Sequence, residues 1–347
     1  MRGMQRREFL ARSASGALAA ALPAREGAAS RATEGVPLRI QTVLGEIAAS
    51  DAGITFPHEH LFSRFGMEPK ERAEYELDQM RGNLGPYLHY LRALGCRTVM
   101  DCTTAYFGRH VSLLEGLSRA SGLQVVTNTG YYGAADDRYV PAHAHSESAD
   151  TLAARWLAEW TGGIDGTGVR PGFIKTGIDR GPLSGIDRKL LVAAARTHRG
   201  SGLTIACHSG DNPEAAFEQL AILKAEGVSP RAWIWVHAHA VKDVAALVRA
   251  AEAGAWIELD GLAADSFEAH LDRVLDLRAR GFLGQVLLSH DGNGHPATGR
   301  VPRPFDLLLT TFRYALRDRG VGPEEVRRLL VDNPREAFAV RVRRDRY

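Results

Sequence analysis

The sequence predicts an α/β protein built as a closed (β/α)8 TIM barrel, and three observations carry that prediction. Short apolar, β-branched runs alternate with helical patterns eight times along the chain. The helical stretches tend to close on glycine, the residue that accepts a left-handed C-cap. The residues that end the runs are polar and chemically related, as expected where barrel strands present their C-terminal ends to one rim. An open doubly wound sheet is the competing arrangement, but no GxGxxG follows an early strand to support it.

The expected strands, in order, are Ile54–His60, Arg97–Thr103, Gln124–Thr129, Gly172–Lys175, Leu203–His208, Ala232–His237, Ala255–Asp260 and Gln285–Asp291. Each is a short run rich in β-branched or aromatic residues, the composition that suits a strand buried on both faces. Between them the spacing predicts helices over Leu84–Leu94, Ser112–Ala120, Asp150–Trp160, Arg188–Arg199, Pro213–Glu226, Val241–Ala253 and Phe267–Ala279. Gly95, Gly122, Gly202, Gly227, Gly254 and Gly281 stand where these helices should stop.

Composition narrows the possibilities. The 347 residues, 45% hydrophobic, suffice for one substantial core. Lys and Arg number 43 against 41 Asp and Glu, so the net charge of +2 offers no electrostatic surface for nucleic acid. Arg341, Arg343, Arg344 and Arg346 read as a solvated tail. Cys96, Cys102 and Cys207 form no CxxC pair and read as buried thiols. Strand alternation turns Cys207 away from the face of His208, so it is not a ligand candidate.

The N-terminus departs from the globular pattern. QRREFL at Gln5–Leu10 precedes an Ala-rich stretch, Ala14–Leu22, and residues 1–30 read as a twin-arginine signal segment. The expected location is the periplasm, after export in the folded state. The Ala-rich stretch is too short to span a bilayer, so no membrane span is expected. Residues 36–341 are left as a single barrel domain.

The strand ends then name a chemistry. His58 and His60, two apart on the first strand, project to the same side. His208, His237 and Asp291 end the fifth, sixth and eighth strands. Imidazoles with a carboxylate suit Zn²⁺ or a similar divalent ion, with Mn, Co or Fe as alternatives. Five polar groups facing one barrel mouth are costly without a cation or water to satisfy them. Lys175 ends the fourth strand among these groups, where an ammonium would be repelled by cations. Carboxylation of its amine by CO2 would turn it into an anion able to bridge two metals. A lysine paired with a carboxylate or binding substrate is the other reading.

The motifs resemble the phosphotriesterase family of the amidohydrolase superfamily. They are TVLGEI at Thr42–Ile47, FPHEHL at Phe56–Leu61, DCTT at Asp101–Thr104, GRH at Gly108–His110 and NTGYY at Asn128–Tyr132. GFIKTG at Gly172–Gly177, WVHAH at Trp235–His239, IELDG at Ile257–Gly261, LLSHD at Leu287–Asp291 and LLVDNPREAF at Leu329–Phe338 continue the series in order. The resemblance implies that His58, His60 and Asp291 bind a buried metal and that His208 and His237 bind a more exposed one. Carboxylated Lys175 and a hydroxide would bridge them, the hydroxide acting as nucleophile and Asp291 taking its proton. It also suggests a homodimer.

Departures from the family pattern bear on substrate. Ala240 stands where phosphotriesterases carry a relay aspartate, and Gly261 where they carry a histidine or, in lactonases, an arginine. His239 is read either as a substitute in the relay or as an ordinary neighbour of the site. Tyr132 matches a tyrosine that lactonases place over substrate, and equally reads as a core aromatic. The segment GNGHPATGRVPRP after Asp291 is polar and flexible by composition, with His295 and Arg300 as possible substrate contacts. The expected function is a binuclear metal-dependent hydrolase of a small-molecule lactone, carboxyl ester or phosphotriester. A metal-containing binding protein without turnover and an amide hydrolase are the alternatives.

Overall fold

The computed structural model describes residues 37–297 and 300–345. The expected signal segment, residues 1–30, lies outside the described residues. The first strands, β1 (Arg39–Thr42) and β2 (Gly45–Ala48), pair antiparallel as a hairpin. It was not among the expected elements; TVLGEI, which contains its turn, is too short to show alternation.

The barrel follows. Its strands are β3 (Ile54–His60), β4 (Cys96–Asp101), β5 (Gln124–Val126), β6 (Asn128–Thr129), β7 (Phe173–Gly177) and β8 (Thr204–His208). It continues through β9 (Trp233–Val236), β10 (Trp256–Leu259), β11 (Val286–Leu288) and β12 (Gly292–Asn293). β5 and β6 are two halves of the expected third strand; β11 lies within the expected eighth, and β12 continues it beyond Asp291. β5 pairs with β4 while β6 pairs with β7; β11 pairs with β10 while β12 pairs with β3. All these pairings are parallel, so the ring closes through its two interrupted strands, and the (β/α)8 barrel is established.

Strand alternation divides the core. Met100, Ala206, Ile234 and Leu287 face the barrel interior, with Phe173 against Phe338 at 5.5 Å between ring centroids. Their neighbours Val99, Cys207, Trp235 and Leu288 face the surrounding helices. Cys207 is therefore buried away from the rim, as alternation requires. Below the rim the interior is packed, and the candidate ligands stand where the strands end.

The helices hold few surprises, and each has a cause. The first expected helix begins at Leu77, seven residues before Leu84, and carries Pro86 inside it. Gly82, Gly85 and Pro86 disguise its start, but Met80, Leu84, Leu88 and Leu91 bury one apolar stripe that outweighs their low propensity. The six glycines expected to end helices all have positive φ. At Gly202 the need is acute, because a Cβ would sit 2.8 Å from the Arg341 backbone. The C-terminal arginines are a correction. Arg343 is buried and donates to Thr204 Oγ1 and to the carbonyls of Glu336, Ala337 and Ala339. Arg343 is thus packed rather than solvated, because helix-end carbonyls need donors, whereas Arg344 is exposed and Arg346 lies outside the described residues.

Candidate metal centre

The rim brings together every residue expected of a metal site. His58 and His60 leave β3 toward the mouth, with ring centroids 5.7 Å apart. Asp291 Oδ1 lies 3.5 Å from His58 Nε2 and 3.3 Å from His60 Nε2. His237 stacks on His58 at 5.1 Å and meets His208 edge-on at 4.4 Å. The four imidazoles, Lys175 and Asp291 line one cavity of about 410 Å³.

Their outer nitrogens are already engaged. His58 Nδ1 meets Glu258 Oε2 at 3.1 Å and stands 2.7 Å from Asp260 Oδ2, while His237 Nδ1 donates to Asp260 Oδ1 at 2.9 Å. His60 Nδ1 meets Thr103 Oγ1 at 2.8 Å, and His208 Nδ1 meets the Tyr132 hydroxyl at 3.1 Å. Each ring therefore keeps Nε2 for the cavity, the arrangement in which an outer partner fixes the tautomer of a ligating histidine. His58, His237 and Asp260 also converge closely enough to hold an ion. Here Asp260 is better read as a hydrogen-bond acceptor, since its oxygens also take the His237 and His239 N–H groups.

Electrostatics follow burial. Burial pushes His58 down to about 4 against the pull of Asp260, and lowers His208 further, with His237 adding to it. Burial also opposes protonation of His237, but the charge and hydrogen bond of Asp260 outweigh it and raise the group. For Asp291, burial is outweighed by the His60 hydrogen bond and the neighbouring imidazoles, which hold it below the usual carboxylate range. Glu258 and Asp260 split: burial and Asp260 drive Glu258 well up, while at Asp260 burial is outweighed by His237, His58 and His239, which draw it well down. The charge belongs to Asp260.

Two site residues sit in left-handed backbone, His237 at φ 61° and Asp291 at φ 50°. Such a residue costs about 1 kcal/mol. Asp260 Oδ2 takes the His237 N–H, and His58 O takes the Asp291 N–H, both at 3.2 Å. The second turn is braced further by Glu59, which accepts from Ser289 Oγ, His290 Nδ1 and Gly292 N at 2.7–2.8 Å.

Lys175 is 1% exposed and donates to Thr176 O at 3.4 Å. No carboxylate lies within 4.0 Å of it among the described residues, so pairing with an acid does not account for it. Its amine stands 5.5 Å from the Tyr132 ring. Tyr132 is both core and site: it stacks on Phe107 at 5.2 Å and lines the mouth. His239 donates through Nδ1 to Asp260 Oδ1 at 2.9 Å. Arg300 lies over Phe65 at 5.0 Å and lines the small cavity.

The segment after Asp291 is less free than its composition suggests. Asn293 and Arg303 exchange two backbone hydrogen bonds, 2.8 and 2.9 Å, and His295 O accepts from Ser63 N. Arg303, which the sequence did not single out, reaches Asp291 Oδ2 at 3.2 Å. Asp260, Glu258, Thr103 and Glu59 were also missed. For Glu258 and Asp260 a signal existed: they are two apart at a strand end, the spacing that drew attention to His58 and His60.

The model of the phosphotriesterase family matches residues 38–338. The chain belongs to the phosphotriesterase family. A phosphotriesterase homology protein of Escherichia coli is 31% identical over 296 residues, covering 82% of this chain and 98% of the relative. The aryldialkylphosphatase of Saccharolobus solfataricus is 25% identical, covering 84% and 97%. The N-acetyltaurine hydrolase of Mus musculus is 24% identical, covering 86% and 97%. A solved structure concerning organophosphate hydrolysis engineered from a weak promiscuous lactonase template superposes with TM-score 0.79 at 26% identity, covering 87% of this chain and 100% of that one. The chain is accordingly a hydrolase whose site holds His and Asp groups able to bind metal.

Proposed function

We propose that this hydrolase is binuclear and cleaves a small lactone, carboxyl ester or phosphotriester. One observation carries the reading: four imidazoles have Nδ1 engaged while their rings and Asp291 line a single cavity. His58, His60 and Asp291 would hold one divalent cation, and His208 and His237 the other, with carboxylated Lys175 between them. Zinc fits nitrogen and carboxylate donors, as do manganese, cobalt and iron. When bound, such cations make water nucleophilic near neutral pH and polarise the scissile oxygen. The donor set fits them: it offers four imidazoles with Nδ1 engaged, an ionised carboxylate, and a buried amine with no acid partner among the described residues.

The chain's own residues supply the rest. Asp260 locks His58 and His237 in the tautomer that leaves Nε2 unprotonated. Asp291, kept ionised, is placed to accept a proton released as water attacks. Tyr132, His239 and Arg300 stand at the mouth as substrate contacts. Amide cleavage is the second reading, favoured by the relatives named N-acetyltaurine hydrolase, and a tetrahedral intermediate at carbon would use the same groups.

Lys175→Ala tests the site. It should lose most bound metal and most turnover, measured as metal per chain alongside rates on a lactone, an aryl ester, an aryl phosphotriester and an amide. Full occupancy and full turnover in the variant would remove the bridging role. Metal-dependent turnover on any of the four substrates would eliminate the pure binding reading. Residues 1–30 are proposed to direct export to the periplasm, which fractionation of cells carrying a double lysine replacement of Arg6 and Arg7 tests. A homodimer is proposed by family likeness, with sedimentation as its check.

A further inference from the structure

Beside the small cavity opens a larger one of about 1160 Å³, lined in part by His239, Ala240, Gly261, Leu262, Ala263 and Leu307. His239 is held on two sides. Its Nδ1 donates to Asp260 Oδ1, and its ring stacks on His270 at 5.1 Å and 29°. The Asp260 carboxylate takes up the Nδ1 side of the ring, which leaves Nε2 as its free nitrogen. No group among the described residues hydrogen-bonds to that Nε2, and the side chain is 26% exposed.

The ring occupies the space a side chain on Gly261 would need. A Cβ on Gly261 would stand 2.5 Å from His239 Cε1 and 2.8 Å from Cδ2, with Nε2 nearer still. Gly261 lies outside the positive-φ residues, so its backbone does not require glycine. Only the imidazole does. His239 and Gly261 are thus one steric unit, in which a residue of the loop after β9 fills the place where a side chain on the loop after β10 would stand.

We propose that this unit is a specificity device: His239 Nε2 accepts a hydrogen bond from a hydroxyl or amide N–H of a substrate seated in the larger cavity. The proposal rests on the hydrolase reading above and narrows its substrate to one that carries a donor. Ester, lactone and phosphotriester groups only accept, so the donor must be an added substituent or the N–H of a secondary amide.

Matched pairs test it: γ-butyrolactone against its α-hydroxy derivative, and a secondary anilide against its N-methyl form. The metal-loaded protein should favour the donor-bearing member by about tenfold in kcat/KM, the value of one good hydrogen bond. His239→Phe should abolish the preference and keep metal content and thermal midpoint. Gly261→Ala should weaken the preference in the native background, yet change nothing further when added to His239→Ala, where no ring remains to collide. Equal rates within every pair, or a Gly261→Ala enzyme with its preference intact, overturn the proposal while leaving the hydrolase reading in place. Absence of turnover on all members strikes the hydrolase reading instead. Equilibrium binding of tetrahydrofuran against its 3-hydroxy derivative then reads the preference without chemistry, and equal affinities refute it.

Discussion

Asp260→Asn is the substitution that most directly probes how the rim is organised. Asp260 accepts from His58 Nδ1 and His237 N through Oδ2, and from His237 Nδ1 and His239 Nδ1 through Oδ1. Asparagine keeps one acceptor oxygen and puts an NH2 in place of the other. In either orientation the NH2 faces two groups that now donate. Hydrogen bonds to a charged acceptor contribute about 1.5–3 kcal/mol each, so two lost bonds remove roughly 3–6 kcal/mol of local organisation. The histidines can escape by moving their proton to Nε2, which accommodates the NH2 but blocks the nitrogen that faces the cavity. Both routes converge on the cation. Metal affinity should fall about 10- to 100-fold, measured by competition with a chelator, and turnover should recover partly at high metal. A variant with native metal affinity would refute the claim that Asp260 fixes the tautomers, and would equally exclude it as a direct ligand.

Two further outcomes follow from the structure. Arg343→Met leaves the carbonyls of Glu336, Ala337 and Ala339 without their buried donor, so urea unfolding should show a loss of at least about 2 kcal/mol; an unchanged midpoint would return the tail to a solvated role. His270, pushed by burial from 6.5 to about 4, must stay neutral in the fold. Because its folded value lies below its unfolded one, its contribution is complete above pH 6.5 and is lost as pH falls toward 4. The loss reaches about 3 kcal/mol at most. His270→Phe should therefore flatten the acid limb of stability relative to the parent, and parallel curves would show that His270 carries none of it.

Which parts of this design a reader of the sequence can see depends on the range of the interaction. Strand and helix positions rest on local periodicity, and so β3 and the helix Phe267–Ala279 coincide with expectation to the residue. The first-contact groups are visible too, because each ends a strand and the barrel sends all strand ends to one rim. What stays hidden is pairing across the barrel. Nothing near Glu59 announces that it will brace a turn more than two hundred residues away, at Ser289, His290 and Gly292. The same holds for Arg343, whose cluster looks solvated until the helix carbonyls it caps are placed beside it. Gly261 makes the point sharpest. In the sequence it reads as a missing contact, the loss of a side chain from the rim. In space that place is filled from the turn after β9 by His239, anchored to the same carboxylate that orients His58 and His237. A function inferred by asking which family residues are absent would place this site one group short. The geometry places an imidazole there by another route, so substrate preference has to be sought in what that lone pair accepts.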